Sequence, residues 1–200
     1  MALEFTFINI FKIISTLSPF LISFYFLISS ILDQNIKGFI YLIGVIFATF
    51  LNIFFLKHFT TEELKKKEIQ KDSIACGLLQ FPSLPVLVEQ TSVPCTNSLF
   101  HAFTLTYIVL SMFNNNIFNA ILIVFLVMIY GIDTVVRFSK GCSNGLGIFM
   151  GSIVGVVFGI FWFALVWITG IKELLYYDEL TSNNVKCVKT KQKFTCKPKK

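Results

Sequence analysis

The chain has 200 residues, of which 55% are hydrophobic and only 14% are charged, and its mean hydropathy is +0.75. A soluble domain of this size cannot bury so much apolar surface, so the composition argues against a soluble fold and indicates an integral membrane protein. The formal charge of +6 is concentrated after residue 171, where eight lysines accompany three acidic residues. This basic tail is typical of segments that contact anionic lipid or an acidic partner, and because it lacks arginine no nucleic-acid partner is expected.

Helices that cross a bilayer need about 20 apolar residues, and five stretches of the chain approach or exceed that length. Backbone groups in lipid must be paired internally, so these stretches are predicted to be helices and not strands. The first contains Pro19, where a kink is expected, and it lacks the basic start and cleavage site of a signal peptide. The sequence therefore predicts an all-α, multi-pass transmembrane helix bundle of about five spans. The predicted spans are 7–32, 38–56, 98–113, 117–136 and 145–171.

Polar and basic segments divide the chain into four regions. The first two spans occupy residues 1–57, and a polar loop that contains proline and cysteine covers 58–97. Within that loop a charged helix is predicted, followed by a proline-broken stretch. Residues 98–171 hold three spans, of which the first two are joined by a short asparagine turn and the last is striped with glycine. Residues 172–200 form the basic tail.

The chain has five cysteines, an odd number, so at least one stays free or pairs between chains in a homo- or hetero-oligomer. Cys187 and Cys196 flank the alternating, lysine-rich stretch "VKCVKTKQKFTC", which predicts a small hairpin closed by a disulfide. A zinc site is not expected there, because the tail has no histidine and no second pair of ligands. The sequence indicates no other metal and no cofactor.

Ionisable residues inside the spans are the candidates for chemistry. Asp133 and Arg137 are four residues apart and therefore share one face of the fourth helix. One interpretation is a phosphate-binding arginine held by an aspartate, and the other is a structural ion pair at the membrane interface. His101, one turn into the third span, is either a proton donor or a hydrogen-bonded interfacial residue.

Glycine recurs at every fourth residue of the last span, within an otherwise apolar stretch. Residues four apart face the same way on a helix, so these glycines form one groove that lets another backbone approach closely. The stripe therefore predicts helix packing. Its members are Gly147, Gly151, Gly155 and Gly159.

Three features together resemble the type-2 phosphatidic acid phosphatase family. That family combines Lys-x6-Arg-Pro, Pro-Ser-Gly-His at the start of a span, and Ser-Arg-x5-His-x3-Asp before a glycine-rich last span. Here "SLFHAF" places His101 at the start of a span, and Arg137 begins "RFSKGCSNGLGIFMGSIVG", which leads into the glycine-striped helix. The proline-containing loop 76–95 lies where the first motif would precede the second. The resemblance covers roughly residues 38–171 and implies that these regions share one membrane side.

The chain departs from the family at the positions that carry the chemistry. Ser143 stands where the nucleophilic histidine belongs, and Gly147 stands where its orienting aspartate belongs. Ser98 to Phe100 replace the Pro-Ser-Gly before His101, and the preceding loop has no arginine–proline pair. The resemblance therefore implies a member that has lost its catalytic groups and kept its helix packing.

A second resemblance rests on composition and on the tail stretch "VKCVKTKQKFTCKPKK". Short multi-pass chains with such a tail look like uncharacterised membrane proteins of large DNA viruses of protists and algae. This resemblance implies a virion internal membrane or a membrane derived from the host endoplasmic reticulum.

The sequence is compatible with three functions. The main hypothesis is a non-enzymatic integral membrane protein with a phosphatase-like bundle, acting as a viral membrane component. The alternative is a membrane lipid phosphatase or lipid-phosphate-binding protein that uses His101 and Arg137, with Ser143 or Cys142 as an unusual nucleophile. The third is a small channel or transporter, for which the spans offer few polar residues.

Overall fold

The structure is a computed structural model, and it describes residues 7–52, 94–116, 118–139, 141, 143–171, 174–175, 185–190 and 193–198. Side chains of residues 7–13 and 16 and of the two strands lie outside the description, as do the predicted charged helix, most of the 58–97 loop and Cys142. The helices and strands are α1 (Phe7–Leu32), α2 (Lys37–Leu51), α3 (Thr96–Asn114), α4 (Ala120–Ser139), α5 (Gly145–Ile168), β1 (Val185–Thr190) and β2 (Lys193–Pro198).

The prediction of a helical protein is confirmed, with one short β-hairpin added in the tail. Each predicted apolar stretch overlaps one described helix. Two of the described helices, α4 and α5, are both long and apolar enough to cross a membrane. Shorter apolar helical stretches cover Leu17–Leu32 in α1 and Lys37–Leu51, which is α2.

Asparagines mark the helix starts in the second half of the chain. The Asn119 side chain accepts a hydrogen bond from the backbone N–H of Leu122 (3.1 Å), so α4 begins three residues later than the apolar run predicts. Asn144 is the N-cap of α5 and accepts from the N–H of Gly147 (2.7 Å). Both contacts satisfy N–H groups that the first turn of a helix leaves without a backbone partner. Asn116, at φ 53°, closes the turn between α3 and α4.

Helix α3 occupies the centre of the bundle. Of its 19 residues 11 are buried, whereas only two of the 20 residues of α4 are buried. Its aromatic residues Phe103 and Tyr107 pack together and against Tyr41 of α2, which in turn contacts Phe26 of α1. The central helix is also the least apolar of the five described helices, and its residues Ser98, Thr104 and Ser111 are buried.

The glycines of α5 face α3 at close range. A methyl group at Gly151 would overlap the backbone of Cys95, and one at Gly155 would overlap the carbonyl of Leu99. A Cβ at Gly159 would lie 2.9 Å from the Cβ of Thr106, again on α3. Glycine is needed at these positions because the two backbones meet where a side chain would otherwise stand.

The outer surface of the helical part is apolar. Its exposed side chains are mostly large hydrocarbon or aromatic groups, while serine, threonine, histidine, asparagine and aspartate are among the buried residues. Exposed examples from α1, α2, α4 and α5 are Phe24, Ile46, Ile121, Met128, Phe149 and Val157.

The tail forms an antiparallel hairpin of β1 and β2. Its register pairs Val185 with Pro198 and places Cys187 opposite Cys196. This register brings the two cysteine positions to the same point of the ladder, which is the arrangement that the predicted disulfide requires. The disulfide itself stays a prediction.

Candidate functional site

A buried polar cluster joins four helices at one end of the bundle. It contains the described ionisable residues that the sequence singled out, together with hydroxyl and amide groups that the sequence did not single out. We call this group the polar cluster. Its members are Ser15 and Ser18 of α1, Asn97 and His101 of α3, Tyr130, Asp133 and Arg137 of α4, and Ser152 of α5.

Asp133 is the centre of the cluster and is fully buried, with 0% of its surface exposed. One carboxylate oxygen accepts from the Ser15 hydroxyl at 2.6 Å and from Arg137 Nε at 3.0 Å. The other oxygen lies 3.2 Å from the same Arg137 Nε. A buried carboxylate is tolerable only when charge and hydrogen bonds compensate it, and both are supplied here.

Pro19 organises the part of the cluster that α1 contributes. Because proline has no N–H, it leaves the carbonyl of Ser15 without its usual helical partner. The Ser18 hydroxyl donates to this carbonyl at 2.9 Å, and His101 Nε2 lies 3.1 Å from the same hydroxyl oxygen. Since the single Ser18 proton is engaged by Ser15, the imidazole is assigned as the donor to Ser18, with its proton on Nε2.

Two aromatic contacts hold the imidazole of His101. The Tyr130 ring stacks on it at a centroid distance of 5.8 Å, and Phe100 packs edge-on at 5.4 Å. The Tyr130 hydroxyl is hydrogen-bonded to Ser152, whose own proton goes to the Ile148 carbonyl at 2.7 Å. Tyr130 therefore donates to Ser152 and links α4 to α5.

Arg137 lies at the rim of the cluster, where its side chain is 12% exposed, compared with 3% for His101. Its guanidinium also meets the amide of Asn97, whose oxygen accepts from Nη2 and from Nε when the amide is oriented to satisfy both groups. Arg137 thus bonds to α3 and to its own helix. Its partial exposure leaves the guanidinium as the member of the pair nearest to the bundle surface.

His101 and Arg137 lie at the same end of the bundle and are connected through other described side chains. The contact path between them runs from Arg137 to Asp133, then to Ser15, Ser18 and His101. The arrangement can hold a carboxylate and a guanidinium side by side away from the bundle surface and keep the imidazole in one orientation. Arg137 lies nearest to the bundle surface, but its charge is already paired with Asp133.

The other predicted site residues fall elsewhere. Ser143 is buried just before α5. Gly147, at the position of the family's orienting acid, accepts through its carbonyl from the Cys95 N–H at 3.0 Å. Within the described part of the chain, no three side chains of histidine, cysteine, aspartate or glutamate come together as metal ligands.

Sequence reasoning missed the serines and the tyrosine of the cluster. Ser15 lies 118 residues from Asp133, and Ser18 lies 83 residues from His101. One local signal was available: a serine directly before Pro19 in an apolar helix is placed to satisfy the carbonyl that proline leaves free. The pairing partners could be found only from the packing of α1 against α3 and α4.

Comparison of the chain with protein-family models, with curated proteins and with solved structures finds no match.

Proposed function

We propose that this chain is a non-enzymatic, multi-pass membrane protein in which all five helices cross the bilayer around α3. The observation that carries the proposal is the distribution of polarity, which is the inverse of that in a soluble protein. Hydrocarbon side chains cover the outside of α1, α2, α4 and α5, whereas the polar cluster and the hydroxyls of α3 lie inside.

The two described helices that are both long and apolar enough to cross a membrane, α4 and α5, support this proposal because few of their residues are buried. Only 11% of the apolar stretch of α4 and 22% of that of α5 is buried within the protein. The core helix of a soluble protein would be mostly buried, so these surfaces are better suited to lipid than to water.

Helix α3 is less apolar than its neighbours, yet its 19 residues extend about 29 Å at 1.5 Å per residue, close to the hydrocarbon thickness. A helix surrounded by other helices does not need to be apolar, because protein and not lipid covers its hydroxyl groups. Thr104, for example, bonds to the Phe100 carbonyl at 2.8 Å and to the Tyr41 hydroxyl at 2.7 Å.

The non-enzymatic part of the proposal rests on the groups that phosphoryl transfer would need. Nucleophilic catalysis requires a nucleophile, a base that activates it and a group that orients the base. The positions that match the family's nucleophile and orienting acid hold Ser143 and Gly147. Arg137 is already neutralised by Asp133, so its charge is not free to hold a phosphate in the present arrangement.

Membrane integration is tested by extracting cell membranes that contain the full chain with alkaline carbonate and, separately, with a mild detergent. We expect the protein to stay in the pellet with carbonate and to dissolve with detergent. Release by carbonate would show a peripheral or soluble protein and would overturn the proposal.

The absence of catalysis is tested on purified protein reconstituted in lipid. Phosphate release from phosphatidic acid and from an isoprenyl diphosphate is measured beside Arg137→Ala. We expect the two proteins to be indistinguishable. Release by the wild type that disappears in Arg137→Ala, while the variant keeps its thermal unfolding transition in detergent, would establish a phosphatase and would refute the non-enzymatic reading.

A second candidate function, binding of a lipid phosphate at the rim of the cluster, is favoured by the partial exposure of Arg137. It would require the guanidinium to exchange part of its contact with Asn97 for the phosphate. Its test is the midpoint of thermal unfolding in detergent with short-chain phosphatidic acid or the matching phosphatidylcholine. A rise that is specific to phosphatidic acid and is lost in Arg137→Gln would support binding, and equal midpoints with both lipids would exclude it.

A further inference from the structure

The β-hairpin of the tail separates its residues into two unlike faces. Successive residues of a strand alternate between the faces of a sheet, and directly paired residues share a face. The register therefore places Lys186, Val188, Thr190, Lys193, Thr195 and Lys197 on one face, which we call the lysine face. The opposite face holds Val185, Cys187, Lys189, Phe194, Cys196 and Pro198.

Charge on the lysine face is uncompensated within the hairpin. Its six positions comprise three lysines, two threonines and one valine, and residues 185–200 contain seven lysines and no acidic residue. Lys186 and Lys197 are direct partners in the ladder. Like charges at paired positions weaken a sheet unless anions lie close to them, so this register favours an anionic surface against the face.

The hairpin is tethered close to the bilayer surface if the proposed membrane location of α5 holds. Helix α5 ends at Ile168 and β1 begins at Val185, so 16 residues connect them. A short connection keeps the hairpin at a high effective concentration near lipid headgroups, which strengthens contacts that would be weak for a free peptide.

We propose that the lysine face docks on the anionic lipid headgroups of a membrane surface. The occupant follows from the charge of the face, from the absence of acidic residues in the sequence 185–200 and from its tether to the most apolar of the described helices. Docking is electrostatic and leaves the opposite face, with its cysteine positions and Phe194, turned away from the headgroups. Binding is therefore expected to fall steeply as salt is raised.

The test uses the full chain in nanodiscs of phosphatidylcholine, mixed with vesicles of phosphatidylcholine alone or with added phosphatidylserine. Co-flotation of the nanodisc protein with the vesicles measures binding by the tail. We expect co-flotation only with the phosphatidylserine vesicles at low salt. Replacing Lys186, Lys193 and Lys197 by glutamine should weaken it about 100-fold, since each lysine near an anionic surface contributes roughly a factor of five.

Two control variants separate the lysine face from overall charge and from insertion. Glutamine at Lys65, Lys66 and Lys67 removes the same charge from the 58–97 loop and should leave co-flotation unchanged. Phe194→Ser alters the opposite face and should also leave it unchanged. Equal losses in both lysine triples would reduce the effect to net charge and overturn the assignment of the face.

Other outcomes identify a different occupant or a different cause. Salt-resistant co-flotation that is lost in Phe194→Ser would mean that the apolar face inserts into lipid. Well-assembled nanodiscs that do not co-float with phosphatidylserine vesicles would also refute lipid docking. An acidic protein would then be the remaining candidate partner of the tail. Assembly into nanodiscs is recorded before any vesicle is added. A chain that does not assemble at all would refute the membrane location.

Discussion

Asp133 and Arg137 differ in the free-energy cost of being left without their charged partner. Asp133 is 0% exposed and lies inside the bundle, whereas Arg137 is 12% exposed at its rim. A long arginine side chain near a helix end can carry its charge toward the interface, but a short buried aspartate cannot. The cost of breaking the pair should therefore depend on which partner remains.

We predict that Arg137→Gln destabilises the protein more than Asp133→Asn does. Removing one partner of a buried ion pair costs about 3–5 kcal/mol, and the aspartate variant should fall at or below the lower end because the remaining arginine reaches the interface. The double variant should recover most of the loss, since it leaves no unpaired charge. Unfolding free energies in a denaturing detergent titration give the three values, and a double variant as unstable as Arg137→Gln would contradict the prediction.

At the scale of helices, the contact between α3 and α5 depends on glycine at particular positions. Comparing a glycine of α5 that contacts α3 with a glycine of α4 that has open space beside it isolates this dependence. A Cβ at Gly155 would meet the Leu99 carbonyl and lie 2.9 Å from Ala102 Cβ, whereas one at Gly131 of α4 meets none of the described atoms within 4 Å. Both glycines lie inside apolar helices, so their intrinsic helix propensities are the same.

We predict opposite effects of alanine at these two positions. Gly155→Ala should lower stability by about 1–3 kcal/mol, because the helices must move apart to accept the methyl group. Gly131→Ala should be neutral or raise stability by up to about 1 kcal/mol, because alanine is the better helix former. Midpoints of thermal unfolding in one detergent provide the comparison. Equal shifts in the two variants would mean that the glycine stripe does not determine the packing of α5.

The tail hairpin allows a covalent test of its register. Paired cysteine positions in an antiparallel ladder bring the two sulfur atoms within bonding reach, so we expect Cys187 and Cys196 to form a disulfide in protein isolated under oxidising conditions. Peptide mapping without reduction should recover the two tail segments joined, and Cys187→Ser should separate them. Peptides in which Cys187 is joined to a cysteine other than Cys196 would contradict the predicted disulfide.

Helix positions could be predicted from the sequence to within a few residues, because the length and apolarity of a span are local properties. The start of α4 was misplaced because Asn119, and not the first apolar residue, sets the first turn. The residues around Asp133 and His101 could be predicted only in part. Their ion pair with Arg137 is local, but Ser15 and Ser18 reach them through the packing of α1, and periodicity does not contain that information.

At the scale of the whole molecule, the contacts between helix ends determine how often the chain passes through the bundle. Asn52, just after α2, lies 3.2 Å from Thr96 at the start of α3. The Cys95 N–H bonds to Gly147 in the first turn of α5, and Ser15 near the start of α1 meets Asp133 near the end of α4. These contacts all lie at one end, so the five described helices run along the bundle in alternating directions and α5 ends at the opposite end.

The proposed five spans therefore predict that the two ends of the chain lie on opposite sides of the membrane. Epitope tags before α1 and after β2 are placed in one protein, and sealed membrane vesicles are treated with protease. We expect one tag to be lost and the other to survive until detergent opens the vesicles. Loss or survival of both tags together would require an even number of spans. The end of the bundle that holds the polar cluster and the tail hairpin would then face the same compartment, and the five-span arrangement would be wrong.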